Sequence, residues 1–207
     1  HAWHGIAWYT RQIYFDSSGS SDMAIGLGAM FGFRFPENFR HPYVADSVQE
    51  FWRRWHVSLS SWFRDYLYVP LGGNRVSAAR TYGNLLIVFF LCGLWHGASW
   101  NFVIWGLFHG TFLVLERAGL ATRLRRVPAP LRHAYLLLVV MVGWVFFRAD
   151  TLPQAIAFLS AMAALGAAQP TPYSVAWYLT PELGLALAAG VVGSIPWVPA
   201  VAAWRQR

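Results

Sequence analysis

The chain has 207 residues, of which 57% are apolar, 17% aromatic and only 12% charged. A soluble domain of this length does not normally hide so much apolar surface, so a bilayer is the natural solvent. The formal net charge of +7 is the balance of 16 basic residues, all arginine, against 9 acidic ones, and the arginines are scattered between apolar runs; that spread suits loops at a membrane surface better than a nucleic-acid groove, which needs one basic face.

His1 to Phe15 is aromatic-rich and mixed, with nothing resembling a signal peptide, and is expected to be a truncated span. Asp16 to Asp22, a Ser/Gly/Asp cluster, predicts a turn, with two acids near hydroxyls as a weaker hint of cation binding. Met23 to Phe35 is apolar, and Gly26, Gly28 and Gly32 permit close helix contact. Pro36 to Pro42 breaks that pattern. Asp46 to Tyr68 then alternates aromatics with Arg, Asp and Ser at helical spacing, too polar to cross a bilayer alone, and is placed at the interface or in a protein-lined funnel.

Asn84 to Glu116 carries no Asp, Glu, Lys or Arg before Glu116; it is longer than the roughly 20 residues of one span and shorter than two. Gly93, Gly97 and Ser99 favour two short helices meeting within the membrane, with His96 near the break. Arg117, Arg123, Arg125, Arg126 and Arg132 make the next loop cytoplasmic by the positive-inside rule. Leu131 to Phe147 crosses outward, Asp150 to Thr180 forms an outer loop with an Ala-rich interfacial stretch from Gln154 to Ala168, and Leu183 to Trp204 crosses back to Arg205 and Arg207. The expected class is all-α: a polytopic membrane protein, with residues 1–207 as a single membrane domain from the C-terminal part of a longer chain.

Three histidines lie in or beside apolar segments, at His56, His96 and His109. Each can be a hydrogen-bonded packing residue. An ionisable group kept within a bilayer also tends to line a path, because an unpaired charge at mid-depth costs on the order of 3 kcal/mol. An imidazole among apolar neighbours stays neutral near pH 7 and can accept a proton from an attacking hydroxyl. Gly93 and Gly97 leave room beside His96, and Trp95 and Trp100 can wall the approach or simply pack. His56 stands among Arg53, Arg54, Arg64 and Asp65, a charge density that is either a solvated face or, with Arg75 and Arg80, a surface for an anionic partner such as coenzyme A or a phosphopantetheine carrier. Leu71 to Arg75, LGGNR, is too short for a phosphate loop by itself and reads as a turn. The single cysteine, Cys92, excludes an internal disulfide and a cysteine-built zinc site; it reads as packing, and neither it nor Ser99 has a visible third group to orient a base.

The segments YFDSSGSSDMAIGLGAMFGFRFPENF, FWRRWHVSLSSWFRDYLYVPLGGNR, GLWHGASWNFVIWGLFHG and WVFFRAD, in this order from Tyr14 to Asp150, resemble the alginate O-acetyltransferase branch of the membrane-bound O-acyltransferase family. Ser17 and Ser20 stand where that branch usually has aromatics. The resemblance implies a ring of helices around a central tunnel in the bacterial inner membrane; on the reading of the residues above, Trp95, Trp100, Arg53, Arg64 and Asp65 are expected to line it. It also implies His96 as catalytic residue and His56 as second functional position. No bound cofactor or metal is implied. The expected partners are membrane lipid, an acyl thioester donor (acetyl-CoA or an acyl carrier), periplasmic acetyl-relay or acetyltransferase proteins, and an extracytoplasmic polysaccharide; nucleic acid is not among them. D-alanine transfer to a teichoic acid, or acetate transfer to peptidoglycan or cellulose, fits the same pattern. Outside the enzyme class stand a polysaccharide or lipid transporter and a non-catalytic scaffold of an exopolysaccharide machine.

Overall fold

Asp16 to Asp22, expected as a turn, lies inside α1, a helix from Ala2 to Met30. Serine favours turns because its hydroxyl offers the backbone a competing partner. Here the hydroxyls are used without breaking the helix: Ser20 Oγ donates to the Asp16 carbonyl at 2.8 Å, and Ser21 Oγ accepts from Asn38 Nδ2 at 3.0 Å. The helix ends where glycine allows it to. Gly32 has φ +83°, and Phe33 N–H donates to the Gly28 carbonyl at 2.9 Å, closing the last turn as a Schellman motif. The computed structural model describes residues 2–165 and 174–195, and these are helical with no strand among them.

The Asp46 to Tyr68 stretch is divided into α2 (Val48–Arg54), α3 (Val57–Phe63) and a π-helical turn (Arg64–Tyr68). Its ends lie near one level and its middle elsewhere. The N–H groups of Val48 and Gln49 donate to the Glu116 carboxylate, beside the arginine-rich loop. Beyond α3, the Leu71 carbonyl accepts from Asn84 Nδ2 and the Gly73 carbonyl from Thr81 Oγ1, both near the start of the next helix. Between these anchors the chain reaches as far as the Trp95 ring, near the other end of that helix. The segment therefore enters and leaves on one side, a re-entrant form that is tolerated when its backbone is buried in protein.

The uncharged run after it forms α4 (Ala78–His96) and α5 (Trp100–Leu115), broken at Gly97–Ser99 as expected. The start is six residues earlier than Asn84, because Arg80 sits in the first turn, where its head can reach the interface. At 1.5 Å per residue α4 is about 28 Å long, long enough for a full crossing rather than a short half-helix. The hairpin closes on glycine: a Cβ at Gly93 would strike the Phe102 carbonyl, and one at Gly106 the Phe89 carbonyl. Small residues allow backbones to approach in lipid, where association depends on packing rather than on expelling water.

After a π-helical turn (Glu116–Leu120) and the one-turn α6 (Ala121–Leu124) comes α7 (Ala129–Arg148). Like α4 it is long and apolar enough to span a membrane. The segment expected as an outer loop contains α8 (Leu152–Met162), shorter than the predicted Gln154 to Ala168 stretch, and α9 (Val175–Tyr178); α10 (Pro181–Gly193) covers the first part of the predicted last span. Pro170, Pro172, the remainder of that span to Trp204, and Arg205 and Arg207 lie outside the described residues. The core is a column of aromatic rings in which Phe51 and Trp55 stack at 5.5 Å, Trp55 meets Trp144 at 5.0 Å, and Trp144 stacks over Trp105 at 6.2 Å. It locks the re-entrant segment against α5 and α7.

Candidate active site

His96 is the last residue of α4, placed where the helix must stop. Gly97 follows in extended conformation, and a Cβ there would hit the Phe102 ring. Ser99 then caps α5, its hydroxyl accepting from the Asn101 N–H at 3.3 Å. The half-buried imidazole packs edge-on against Trp95 and Trp105, each at 4.9 Å, and against Phe147 at 5.1 Å. Three helices thus orient one ring. Asn101 ties two of them together by donating from Nδ2 to the Ala149 carbonyl at 2.6 Å.

His56 lies at the turn between α2 and α3 with φ 47° and ψ 57°, a left-handed conformation that a non-glycine residue rarely adopts. Asn38 holds it there. The Asn38 carbonyl accepts from Val57 N–H at 2.9 Å, and its Oδ1 accepts from Ser58 N–H and Ser58 Oγ, both at 3.0 Å. Strain of this kind costs about 1–3 kcal/mol and persists only where the surroundings over-determine it. The His56 ring lies 6.4 Å from Trp95 and 5.8 Å from Phe39. Both imidazoles therefore contact the same indole, although 40 residues of sequence separate them.

Below this pair is a cavity of about 510 Å³, walled by Arg40, Arg53 and Arg64 on one side and by Val88, Phe89 and Cys92 on the other. Neither imidazole lines it. Val57, the neighbour of His56, does, and so does Cys92, one turn before His96, so the cavity ends just short of both rings. Arg64 is fixed by two hydrogen bonds to Asp65, at 2.7 and 3.0 Å. That pairing raises the guanidinium above its ordinary pKa and holds the exposed carboxyl below the usual range.

Of the expected lining residues, Arg53 and Arg64 face this cavity, Asp65 acts on it through Arg64, and Trp95 bridges the two imidazoles while 58% exposed. Trp100 is 74% exposed at the start of α5 and is not brought to either ring. His109 is fully buried, with no hydrogen-bond partner for either ring nitrogen. It packs between Trp52 and Trp105 and leans on Gly143, where a side chain would strike it. Asn38, Trp105, Phe147 and Glu116, which position the site, were not singled out by the sequence reading. Glu116 alone left a local signal, as the first charge after a long uncharged run.

A model of the membrane-bound O-acyltransferase family matches residues 1–150. The chain is 56% identical over 165 residues to the "Probable alginate O-acetylase AlgI" of Azotobacter vinelandii, covering 80% of this chain and 33% of that protein. It is 47% identical over 167 residues to the peptidoglycan O-acetyltransferase of Helicobacter pylori, covering 79% and 32%. It is 32% identical over 114 residues to the teichoic acid D-alanyltransferase of Bacillus subtilis, covering 51% and 28%. The chain spans about a third of the length of these curated relatives. With a family match over its first 150 residues and two helices able to cross a bilayer, the chain belongs to the membrane-bound O-acyltransferase family.

Proposed function

We propose that this protein is a membrane O-acyltransferase of the bacterial inner membrane that passes an acetyl group from a cytoplasmic thioester to a hydroxyl of an extracytoplasmic polysaccharide, or of a relay protein that serves one. The observation that carries the reading is the meeting of His56 and His96 on Trp95, just beyond an arginine-walled cavity that reaches Val57 and Cys92. In this mechanism neutral His96 takes the proton of the acceptor hydroxyl as its oxygen attacks the thioester carbonyl. The tetrahedral intermediate collapses, the C–S bond breaks, and the imidazolium returns the proton to the leaving thiolate. His56 supports the donor side, and Arg53 and Arg64 attract the anionic donor. The names of the relatives, with acetate on alginate and peptidoglycan and D-alanine on teichoic acid, support O-acylation of an envelope polymer.

The test is transfer of labelled acetate to envelope polysaccharide in cells expressing the full-length protein. Label in the polymer that depends on the protein is the expected result. Transport of polymer without a new ester would favour a transporter, and loss of assembly without loss of partner acylation a scaffold.

The left-handed backbone at His56 allows the imidazole to be separated from its fold. His56→Gly relieves about 1–2 kcal/mol of left-handed strain and adds about 0.5–1 kcal/mol of unfolded-state entropy. Thermal unfolding is therefore expected to stay within about 1 kcal/mol of wild type while acyl transfer falls at least tenfold. Full transfer by His56→Gly would remove His56 from the mechanism.

A further inference from the structure

Arg148 and Asp150, at the end of the WVFFRAD segment, carry opposite charges, yet neither forms an ion pair among the described residues. The fold keeps them apart. Arg148 ends α7 with its guanidinium over the Tyr9 ring, 5.1 Å from the centroid, while Ala149 leaves the helix in extended conformation, at φ −71° and ψ 136°, and carries Asp150 past its end. The Ala149 carbonyl is fixed by Asn101 Nδ2. Asp150 N–H donates to Gln154 Oε1 at 3.2 Å, which leaves the Gln154 amide N–H₂ to donate. Arg148, Asp150 and Gln154 line a cavity of about 340 Å³ between α1, α7 and α8, and its apolar walls include Ile6, Val145 and Phe158. One cation, one anion and one amide donor thus face a common space over an apolar floor.

We infer that this cavity binds the headgroup of a zwitterionic phospholipid with a primary ammonium, of the phosphatidylethanolamine kind: Arg148 takes the phosphate, Asp150 the ammonium, and the apolar walls the first carbons of the lipid. The position at the end of α7 favours a lipid. Its 20 residues rise about 30 Å, the thickness of a hydrocarbon core, so with α7 across a bilayer Arg148 stands at headgroup level. Tyr9 under the guanidinium, and Trp3, whose indole N–H donates to the Met162 carbonyl at 2.8 Å, are of the residue types that settle at that level. The charges favour this headgroup. They cancel within the cavity, as they do within the zwitterion. An anionic lipid would satisfy Arg148 and set its charge against Asp150. A choline headgroup brings a cation with no N–H to give, whereas a primary ammonium offers three donors to the carboxylate, and the phosphate accepts from Arg148 and Gln154. None of these three side chains enters the acyl-transfer step, so the lipid site and the proposed function can fail separately.

Equilibrium binding to the full-length protein in detergent tests the site, with short-chain phosphatidylethanolamine, phosphatidylcholine and phosphatidylglycerol as probes and glycerophosphoethanolamine as the free headgroup. The ethanolamine lipid is expected to bind about tenfold more tightly than the other two lipids, roughly what one charge-assisted hydrogen bond supplies, and more tightly than the free headgroup. This comparison uses the wild-type protein and does not depend on any variant folding. Asp150→Asn should remove the preference over choline without moving the Kd of the choline lipid. Arg148→Gln should weaken both lipids about tenfold, and Arg148→Lys should recover part of that loss. Equal affinity for ethanolamine and either other lipid, a preference that survives Asp150→Asn, or the same losses in Arg123→Gln, which does not line the cavity, would overturn the site. Equally tight binding of glycerophosphoethanolamine would overturn the lipid and assign the cavity to a soluble phosphoester.

Discussion

His96→Ala is expected to lower the rate of acyl transfer by about 10²–10⁴-fold, the range that a positioned general base contributes, with little change in donor KM. The imidazole lies beyond the arginine-walled cavity, so removing it should affect the chemical step more than binding. His56→Ala should cost less in rate, because His56 meets Trp95 at 6.4 Å and lacks the three-helix cradle of His96. The double variant separates cooperation from independence. If the two rings act as a unit across Trp95, the double loss should be close to that of His96→Ala alone rather than the product of the two. Initial rates over a range of donor concentrations, at matched membrane levels, read all three values. A rate above about a tenth of wild type in His96→Ala would exclude it as the general base.

The break at Gly97–Ser99 was legible because glycine and serine interrupt an apolar run too long for one span, and His96 could be placed beside it for the same reason. The start of α4 was misplaced because a charge count ends a span at Arg80, whereas a long side chain in the first turn does not. The turn expected at Asp16–Asp22 failed differently. Its composition describes what serine and aspartate do to an isolated backbone, and the contact that uses Ser21 comes from Asn38, beyond the end of the helix. The re-entrant path of α2 and α3 shows the same limit. Polar helical spacing marked the segment as unable to cross, but nothing local in Val48 or His56 says that they are held by Glu116 and Asn38, 68 and about 20 residues away. Long-range hydrogen bonds leave no periodicity to read. The packing reading offered for His109 was right in kind, but its partners Trp52 and Gly143, on other elements, hold the ring without the expected hydrogen bond.

Glu116→Ala is expected to destabilise the protein by about 3–5 kcal/mol, the largest effect of any substitution outside the imidazole pair. Glu116 is 4% exposed, and its carboxylate accepts from Val48 N–H at 2.7 Å, Gln49 N–H at 3.0 Å and the Tyr135 hydroxyl at 3.2 Å. Two of these are first-turn amides of α2, which have no partner within the helix, and a negative charge is favoured at that end of the helix dipole. Alanine would leave three donors unpaired in a region with little water, at about 1–3 kcal/mol each before relaxation. Glu116→Gln keeps the shape and an acceptor oxygen, so it should lose only about 1–2 kcal/mol. Thermal unfolding of the detergent-solubilised full-length protein measures both, and an alanine variant within about 1 kcal/mol of wild type would refute the anchoring role. Activity should follow the same order. Helix α2 carries Arg53 and leads directly into His56, so freeing its first turn lets the arginine wall of the cavity and the second imidazole move together, whereas a defect confined to stability would spare transfer measured well below the unfolding temperature.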